Sequence, residues 1–315
     1  MKYTFLIVLT SVLVGCSTTT ENKEKTDSEQ SAEAISFLGE PLFAPAVSDS
    51  IIQISDNAIK SIKEKTILTE DDYIAIGFQL ANTGRYRDAI ASYDEGISRY
   101  PESFKLLRHR GHRYITTRQL NFAISDLLKA ASYIEEQPDI PEYDQNDEMT
   151  GTYQHWIWYH IGLCYYLNQA YIQAVPAYEK CLDESRSNKN LVGATDWLYN
   201  TYMRLGEKEK ATHILEAITP DMDTDRDHPY FRRIMLYKGA ITPEELVDVD
   251  QDPIKASVSD ITKMYGLANW YSYNGNKEKA RALYQKIIQS KNGWPGFAFA
   301  AAEMDISRLT IKSSD

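Results

Sequence analysis

The sequence has few cysteines and fewer basic than acidic residues, and both shortages restrict what the protein can do. Its 315 residues include 3 cysteines, and 34 Lys and Arg stand against 45 Asp and Glu, a formal net charge of −11 at pH 7. Nucleic acid is not expected as a partner, because binding to phosphates depends on clustered cations. Cys164 and Cys181 occupy apolar positions of predicted helices, where a thiol acts as a small hydrophobic group, and a disulfide between them is the less favoured alternative.

Motifs of catalysis and of metal binding are also missing from the sequence. It contains no Gly-rich phosphate loop, serine elbow or paired Cys–His arrangement. His109 and His112 could offer two metal ligands, but the neighbouring arginines would repel a divalent ion. The Asp-rich runs 221–227 and 248–252 resemble the start of a calcium loop, yet neither has the glycine that such a loop requires. The sequence therefore predicts neither an enzyme nor a bound metal or other cofactor.

The apolar run at the start of the chain is too short to be a permanent membrane span. Lys2 precedes it, Phe5 to Val14 form it, and Leu-Val-Gly-Cys closes it at Cys16. This segment resembles a bacterial lipoprotein signal peptide, which implies cleavage before Cys16 and acylation of that residue, so that lipid chains anchor the mature protein. Ser17 is not the aspartate of inner-membrane retention, so the resemblance implies an outer-membrane, periplasm-facing protein, with the inner membrane as the alternative. A buried apolar segment followed by a chance cysteine is the competing interpretation.

Residues 16–34 follow the signal segment 1–15 and contain almost nothing apolar. Such a composition cannot bury enough surface to offset the entropy of ordering, so a disordered tether is predicted. Within 35–69, apolar residues recur at helical spacing from Ile51 to Ile62, which predicts a capping segment over whatever structure follows.

The rest of the chain repeats itself at intervals of about 34 residues. Within 71–101 the repeated positions are Tyr73, Ile76, Gly77, Leu80, Gly84, Tyr86, Ala89, Tyr93, Gly96 and Pro101. A second copy follows directly, later copies begin near His155, Val192 and Met264, and the stretch between the last two retains one amphipathic helix and a short one. This pattern resembles the tetratricopeptide repeat, which implies an all-α solenoid, a right-handed superhelix of helical hairpins. No segment alternates with period two long enough to favour a sheet.

The predicted organisation follows from these repeats. The segments are repeats 1 and 2 at 70–137, an acidic insertion loop at 138–154, repeats 3 and 4 at 155–225, a degenerate repeat at 226–252, repeat 6 at 253–292, and a C-terminal capping helix with a tail at 293–315. The insertion is acidic and lacks Lys and Arg, which predicts a mobile loop at the rim.

The resemblance implies that the first helices of the repeats line a concave groove that binds a partner. The residues at groove positions are Phe78, Lys105, Arg108, His112, Trp156, Tyr159, Tyr166, Asn200, Arg204 and Asn269. Arg110 instead takes the place of a packed leucine and is expected to need an acidic partner from a neighbouring helix. Replacing Arg108 and His112 by Ala is expected to weaken binding without unfolding the repeats.

Aromatic rings, amides and cations suit an extended peptide or protein segment, because rings offer contact area at small entropic cost. Arg108, Asn200 and Asn269 are similar to part of the carboxylate clamp of chaperone-binding tetratricopeptide domains. The favoured function is a membrane-anchored adaptor that binds a protein or peptide. The alternative is a lipoprotein that captures an anionic small ligand for uptake or degradation, with Arg108 and His112 holding the anion over Trp156 and Tyr159.

Overall fold

The computed structural model describes residues 31–144 and 147–311, which are almost entirely helical. Six helical hairpins follow one another along this part of the chain. Their first helices are α2 (Glu70–Asn82), α4 (Phe104–Thr116), α6 (Tyr153–Leu167), α8 (Asn188–Leu205), α10 (Pro229–Tyr237) and α12 (Val258–Tyr273). Their second helices are α3 (Tyr86–Arg99), α5 (Leu120–Ile134), α7 (Tyr171–Asp183), α9 (Lys208–Ile214), α11 (Pro243–Leu246) and α13 (Lys277–Ile287). The predicted all-α solenoid is confirmed.

Elements outside the hairpins lie at both ends and in one insertion. They are α1 (Asp49–Lys63), α14 (Phe297–Ile311), and the strands β1 (Ala34–Ile35), β2 (Pro41–Leu42), β3 (Pro141–Tyr143) and β4 (Met149–Thr152). Helix α1 packs against α2, the position expected of a capping helix. None of the helices within 31–144 and 147–311 combines the length and the apolar character needed to cross a bilayer.

Polar caps start the first helices of several repeats. The hydroxyl of Thr69 accepts a hydrogen bond from the Asp72 amide, while the Asp72 carboxylate accepts one from the Thr69 amide, and Ser257 and Asp260 form the same reciprocal pair at α12. Each pair satisfies two backbone N–H groups that the helix itself leaves free, which fixes where the helix begins.

Glycine allows the two helices of a hairpin to approach closely. A Cβ atom built on Gly77 would lie 2.2 Å from the ring of Tyr93, and one on Gly162 would lie 2.7 Å from the ring of Tyr178. The same contact recurs in two repeats because an aromatic ring on the second helix fills the space that glycine leaves. The repeat pattern in the sequence therefore encodes this packing directly.

The fifth hairpin is short because its second helix has a single turn. Helix α10 packs between α8 and α12, Gly239 follows it with a φ of 70°, and Pro243 opens the four-residue α11. The amphipathic stretch predicted here thus provides one full helix to the stack, and its neighbours pack on both sides of it.

Helix α14 does more than cover the open end of the array. It packs against α12 and α13 and also against α4 and α6, so it crosses the inner face that the first helices form. Ala302 and Glu303 of this helix have no exposed surface. The prediction of a terminal capping helix is therefore incomplete, because α14 is part of the core.

The N-terminal segment meets this last helix. The Phe37 amide donates to Glu303 Oε2 at 3.2 Å, and the Trp294 indole donates to the Phe43 carbonyl at 2.7 Å. Glu33 accepts a hydrogen bond from the Arg87 amide at 2.9 Å. The predicted boundary of the tether at residue 34 is therefore too late, since residues from Glu33 onward already pack on the repeats. Cys16 and residues 16–30 lie outside the described residues.

The acidic insertion forms a β-hairpin in its described part. Strands β3 and β4 pair antiparallel, with Glu142 opposite Gly151 and Tyr143 opposite Met149. Glu142 is 4% exposed, whereas Tyr143 and Met149 are each more than half exposed. The predicted mobile loop is wrong for these strands, because one carboxylate of the insertion is anchored inside the protein.

The turn between the two helices of a hairpin needs a residue with left-handed backbone. Gly84, Gly206, Gly239 and Gly275 supply it in four repeats, but Arg118 (φ 66°) and Gln169 (φ 59°) take this position in the other two. A side chain in this conformation costs about 1–3 kcal/mol. Arg118 compensates for this cost, because its guanidinium binds the buried Glu303, with Nε 2.9 Å from Oε2.

Glycine substitutions at these two turns should have opposite effects. Gln169→Gly relieves the backbone strain and should raise the free energy of unfolding by about 1 kcal/mol. Arg118→Gly relieves the same strain but leaves Glu303 buried without its cation. This change should lower the free energy of unfolding by about 3 kcal/mol. Urea unfolding of both variants measures the difference, and equal effects would show that the ion pair contributes nothing.

Candidate functional site

Several of the residues predicted to line a groove contact one another. The Arg108 guanidinium lies 5.9 Å from the Trp156 ring, and the Trp156 ring lies 5.4 Å from that of Tyr159. Further along the array, Asn269 Nδ2 donates to Asn200 Oδ1 at 2.8 Å. The repeat register therefore identified side chains that share one connected surface.

That surface is covered. Five of the predicted groove residues are between 0% and 5% exposed, namely Arg108, Tyr159, Tyr166, Asn200 and Asn269. The Arg204 side chain is 3% exposed as well. Only partial exposure remains for the other four, Phe78, Lys105, His112 and Trp156. The predicted open groove is thus closed over most of its lining, and the role of these residues in binding stays a prediction.

The β-hairpin covers one part of the inner face through Arg108. Arg108 Nη2 lies 2.9 Å from Glu142 Oε1, and the two side chains are 6% and 5% exposed. Burial raises the pKa of Glu142 to about 7, and the positive charge of Arg108 opposes that rise. Trp156 donates to Thr150 Oγ1 at 3.2 Å, which fixes the base of the hairpin. Arg108 is therefore already paired with a carboxylate of its own chain.

Helix α14 covers the adjacent part through its first residue. The Phe297 ring packs 5.3 Å from the His112 ring and 5.6 Å from the His160 ring. Arg113 Nη2 lies 2.7 Å from His112 Nε2 and donates to it. Burial lowers the pKa of His112 well below its usual value, and the nearby Arg113 lowers it further. His112 is therefore a neutral hydrogen-bond acceptor near pH 7 and provides no positive charge for an anion.

The other groove cations are paired in the same way. Lys105 lies 3.0 Å from carboxylate oxygens of Glu70 and Asp71. Arg204 Nη2 donates to Asp305 Oδ2 of α14 at 2.7 Å and to Asn269 Oδ1 at 2.8 Å. The cations predicted to hold a ligand are instead paired with carboxylates of the same chain, as charged groups in protein interiors usually are.

Arg110 has the acidic partner that the sequence required. Its Nε and Nη2 atoms each lie 2.7 Å from an oxygen of Asp126 on α5, and Nη1 lies 2.6 Å from Asp94 on α3. The two-point contact with Asp126 matches the geometry of guanidinium and carboxylate. The structural interpretation of Arg110 is confirmed.

Sequence reasoning missed the carboxylates that fill the inner face. Glu303 and Asp305 lie in α14, and their partners Arg118 and Arg204 come from the second and fourth repeats. A signal was available, because Glu303 follows six apolar residues and a charge in such a run requires a partner. What the sequence could not supply was the identity of that partner.

The histidines do not form a metal site. His109 packs 5.1 Å from Phe78 and 6.0 Å from Tyr153, away from the pair formed by His112 and His160. Across residues 31–144 and 147–311, no group of three or more His, Cys, Asp or Glu is arranged to hold a metal ion. Cys164 and Cys181 are buried free thiols, and burial raises the pKa of each.

Replacing Arg108 by Ala should destabilise the fold, contrary to the expectation from the sequence. The change leaves Glu142 buried without its cation, and the free energy of unfolding should fall by about 3 kcal/mol. The double variant R108A/E142Q should recover part of that loss, because no buried charge remains. Urea unfolding of the two variants gives the comparison, and no recovery in the double variant would contradict the pairing.

The buried His155 should make the protein sensitive to acid. It is 1% exposed, and burial lowers its pKa to about 4, against about 6.5 in an unfolded chain. Because the folded-state pKa is the lower one, the stabilisation is present above pH 6.5 and is lost as the pH falls towards 4.

The matched variant is His155→Asn, whose amide can still donate to the Cys181 carbonyl, 3.2 Å from His155 Nδ1. Between pH 7.5 and pH 5 the original chain should lose about 2 kcal/mol more unfolding free energy than the variant. Urea midpoints at the two pH values measure this. Equal losses would show that His155 does not titrate as expected.

Comparisons with known proteins agree with the repeat architecture. Residues 157–188 and 264–290 match family models described as Tetratricopeptide repeat, and these segments are the third and sixth hairpins. No curated protein matches the chain.

Several solved structures are similar to this chain at low sequence identity. A tetratricopeptide repeat protein from Parabacteroides merdae ATCC 43184 is 14% identical, with a TM-score of 0.47, and the alignment covers 82% of this chain and 98% of that one. YrrB, described as a TPR protein with an unusual peptide-binding site, is 16% identical, with a TM-score of 0.40 over 75% of this chain and 92% of its own. MamA is 15% identical, with a TM-score of 0.39 over 75% and 97%. The family models, over residues 157–188 and 264–290, identify tetratricopeptide repeats in this chain.

Proposed function

We propose that this chain is a lipid-anchored scaffold of the bacterial envelope that faces the periplasm and binds a protein partner. The proposal of an anchor is supported by the apolar run that ends at Cys16 and by the polar stretch after it. Ser17 favours the outer membrane over the inner one. The proposal of a scaffold is supported by the repeats, because stacked hairpins provide a large rigid surface and are consistent with protein binding.

The observation that carries the proposal is the apolar pair at the outer side of the β-hairpin. Tyr143 and Met149 are directly opposite each other across the two strands and are 52% and 54% exposed. Single exposed apolar residues are normal, but two side by side on an insertion that the repeats do not need form a small patch. Tyr and Met are enriched at protein interfaces, where burial of such side chains contributes about 1.5–3 kcal/mol each.

The anchoring of the hairpin favours binding at this patch. Glu142 holds one strand to Arg108, and Asn190 Nδ2 donates to the Thr150 carbonyl at 2.9 Å on the other strand. A pair held in place in this way loses little conformational entropy on binding. The proposed binding surface is therefore the hairpin, since the predicted groove residues lie beneath it and beneath α14.

The alternative function, capture of an anionic small ligand by Arg108 and His112, finds less support at those residues. Arg108 already lies 2.9 Å from the Glu142 carboxyl group, and the low pKa of His112 leaves the ring uncharged near pH 7. An anion placed there would displace an existing buried pair, which is strongly unfavourable.

Purification of the lipidated protein from detergent-solubilised envelopes tests the proposal. The unchanged chain should carry a stoichiometric protein partner, and Y143S/M149S should lose most of it without a change in urea midpoint, because both side chains are exposed. The matched control is F122S/I172S, which removes two exposed apolar residues of the second helices, 62% and 75% exposed. This control should keep the partner, while C16S should lose membrane association.

Two results would contradict the proposal. Loss of the partner in F122S/I172S, but not in Y143S/M149S, would move the binding surface to the second helices. Absence of any protein partner, together with a small molecule found by native mass spectrometry, would favour the alternative function. Membrane association of C16S equal to that of the unchanged chain would reject the lipid anchor.

A further inference from the structure

A cavity of about 240 Å³ opens between the sixth hairpin, α8 and α14. It lies away from the β-hairpin and from the Arg108 region. Its lining consists of Met203, Arg204, Ser272, Tyr273, Lys277, Ala280, Tyr284 and Arg308. Typical ligand pockets measure about 300–1,000 Å³, so this one suits a small molecule or a single chemical group.

The cavity exists because two large rings of another repeat have no counterpart here. In the third repeat, Tyr171 begins α7 two residues after the left-handed Gln169, and its ring packs 5.4 Å from that of Tyr166. In the sixth repeat, Lys277 begins α13 two residues after the left-handed Gly275. The residue that corresponds to Tyr166 is Ser272. A hydroxyl and an exposed lysine thus replace a ring pair, and the space between the helices stays open.

Positive charge surrounds this space in an otherwise acidic protein. Arg204, Lys277 and Arg308 are in the lining, and no carboxylate is. Asp305 stands next to it and binds two of the cations, Arg204 at 2.7 Å and Arg308 at 2.9 Å. Within the described residues Lys277 makes no ion pair, and three cations against one carboxylate leave the site net positive.

The positive charge of Lys277 does not stabilise α13, the helix that it begins. The start of a helix carries a partial positive charge, so a cation in the first turn of α13 is locally unfavourable. The last turns of α8 and α12 contribute carbonyl groups of opposite sign at Arg204 and Tyr273, so the helix ends together add a partial negative charge that is smaller than the charge of the three cations. The side-chain cations therefore determine the sign of the potential in the cavity.

The other residues that line the cavity determine which apolar and polar groups of a ligand can be bound. Ala280, Met203 and the rings of Tyr273 and Tyr284 provide apolar contact. The Tyr284 hydroxyl already donates to Asn269 at 2.7 Å, and the Tyr273 hydroxyl to Asn200 at 3.1 Å. The groups that stay available to a ligand are the Lys277 ammonium, the Ser272 hydroxyl and Nη1 of Arg308, since Nη2 of Arg308 donates to Asp305.

We propose that this cavity is a binding site for a small carboxylate with a short apolar stem, with Lys277 and Arg308 holding the carboxylate. The stem lies against Met203, Ala280 and the tyrosine rings, while the net positive charge selects for an anion. The site is independent of the proposed scaffold function, because none of its residues belongs to the β-hairpin.

Calorimetric titration of the purified full chain with hexanoate tests the site. Hexanoate should bind with one-to-one stoichiometry, and Lys277→Gln should weaken binding about tenfold, the usual loss of one charge-assisted contact. Arg308→Gln should weaken binding similarly. The matched control is Lys279→Gln, which removes the same charge two residues away, where the ammonium lies 4.9 Å from the Tyr271 ring outside the cavity. The affinity of the Lys279→Gln variant for hexanoate should equal that of the unchanged chain.

A filled-cavity variant separates binding from folding. S272Y/K277Y installs the ring pair of the third repeat and should abolish hexanoate binding while the urea midpoint stays equal or rises, since the added rings are packed. Hexanamide, the neutral analogue, should bind at least tenfold more weakly than hexanoate to the unchanged chain.

Three results would overturn the proposal. Equal binding of hexanamide and hexanoate would show an apolar cleft without selection for anions. Unchanged affinity in Lys277→Gln would place the ligand elsewhere. Tighter binding of inorganic phosphate than of hexanoate, lost in Lys277→Gln, would assign the site to phosphate and reject the carboxylate.

Discussion

Two buried ion pairs, Arg118 with Glu303 and Arg204 with Asp305, hold the last helix across the inner face of the repeats. All four side chains are 5% exposed or less, so neither partner can be removed without leaving a charge in the protein interior. This constraint determines the position of α14, because the two carboxylates reach arginines of the second and fourth hairpins together. It also joins the two ends of the described part of the chain, since Glu303 accepts a hydrogen bond from the Phe37 amide.

The closed inner face changes the meaning of its polar residues. In an open solenoid the amides and cations of the first helices would face solvent and a partner. Here Asn269 bonds to Asn200, Arg204 and Tyr284, and Arg204 bonds to Asp305. A network of this kind is stable only when each member is satisfied, and it favours one arrangement of the helices over others. The polar inner surface therefore acts as part of the core.

The accessible features arise where the chain departs from the repeat pattern. The β-hairpin is an insertion between two repeats, and it exposes Tyr143 beside Met149. The cavity at α13 results from Lys277 and Ser272, which occupy the positions of a ring pair in another repeat. Regular positions are used for stacking, so they are buried and alike. Irregular positions are free of that requirement and can differ in chemistry, which is why the two proposals concern them.

Local periodicity determined the hairpins, and the sequence alone was enough to predict them. Gly77 faces Tyr93, and Arg110 finds Asp126, because these pairs lie in neighbouring helices at spacings that the repeat dictates. Contacts among several predicted inner-face residues follow the same register, as between Trp156 and Tyr159 and between Asn269 and Asn200. The covering of the inner face by α14 and the β-hairpin could not be predicted from the sequence. Arg118 and Glu303 are 185 positions apart, and Arg204 and Asp305 are 101 apart. Spacing along the chain carries no information about such pairs, so only the stacking of all the hairpins, which sets where α14 lies, decided which charges meet.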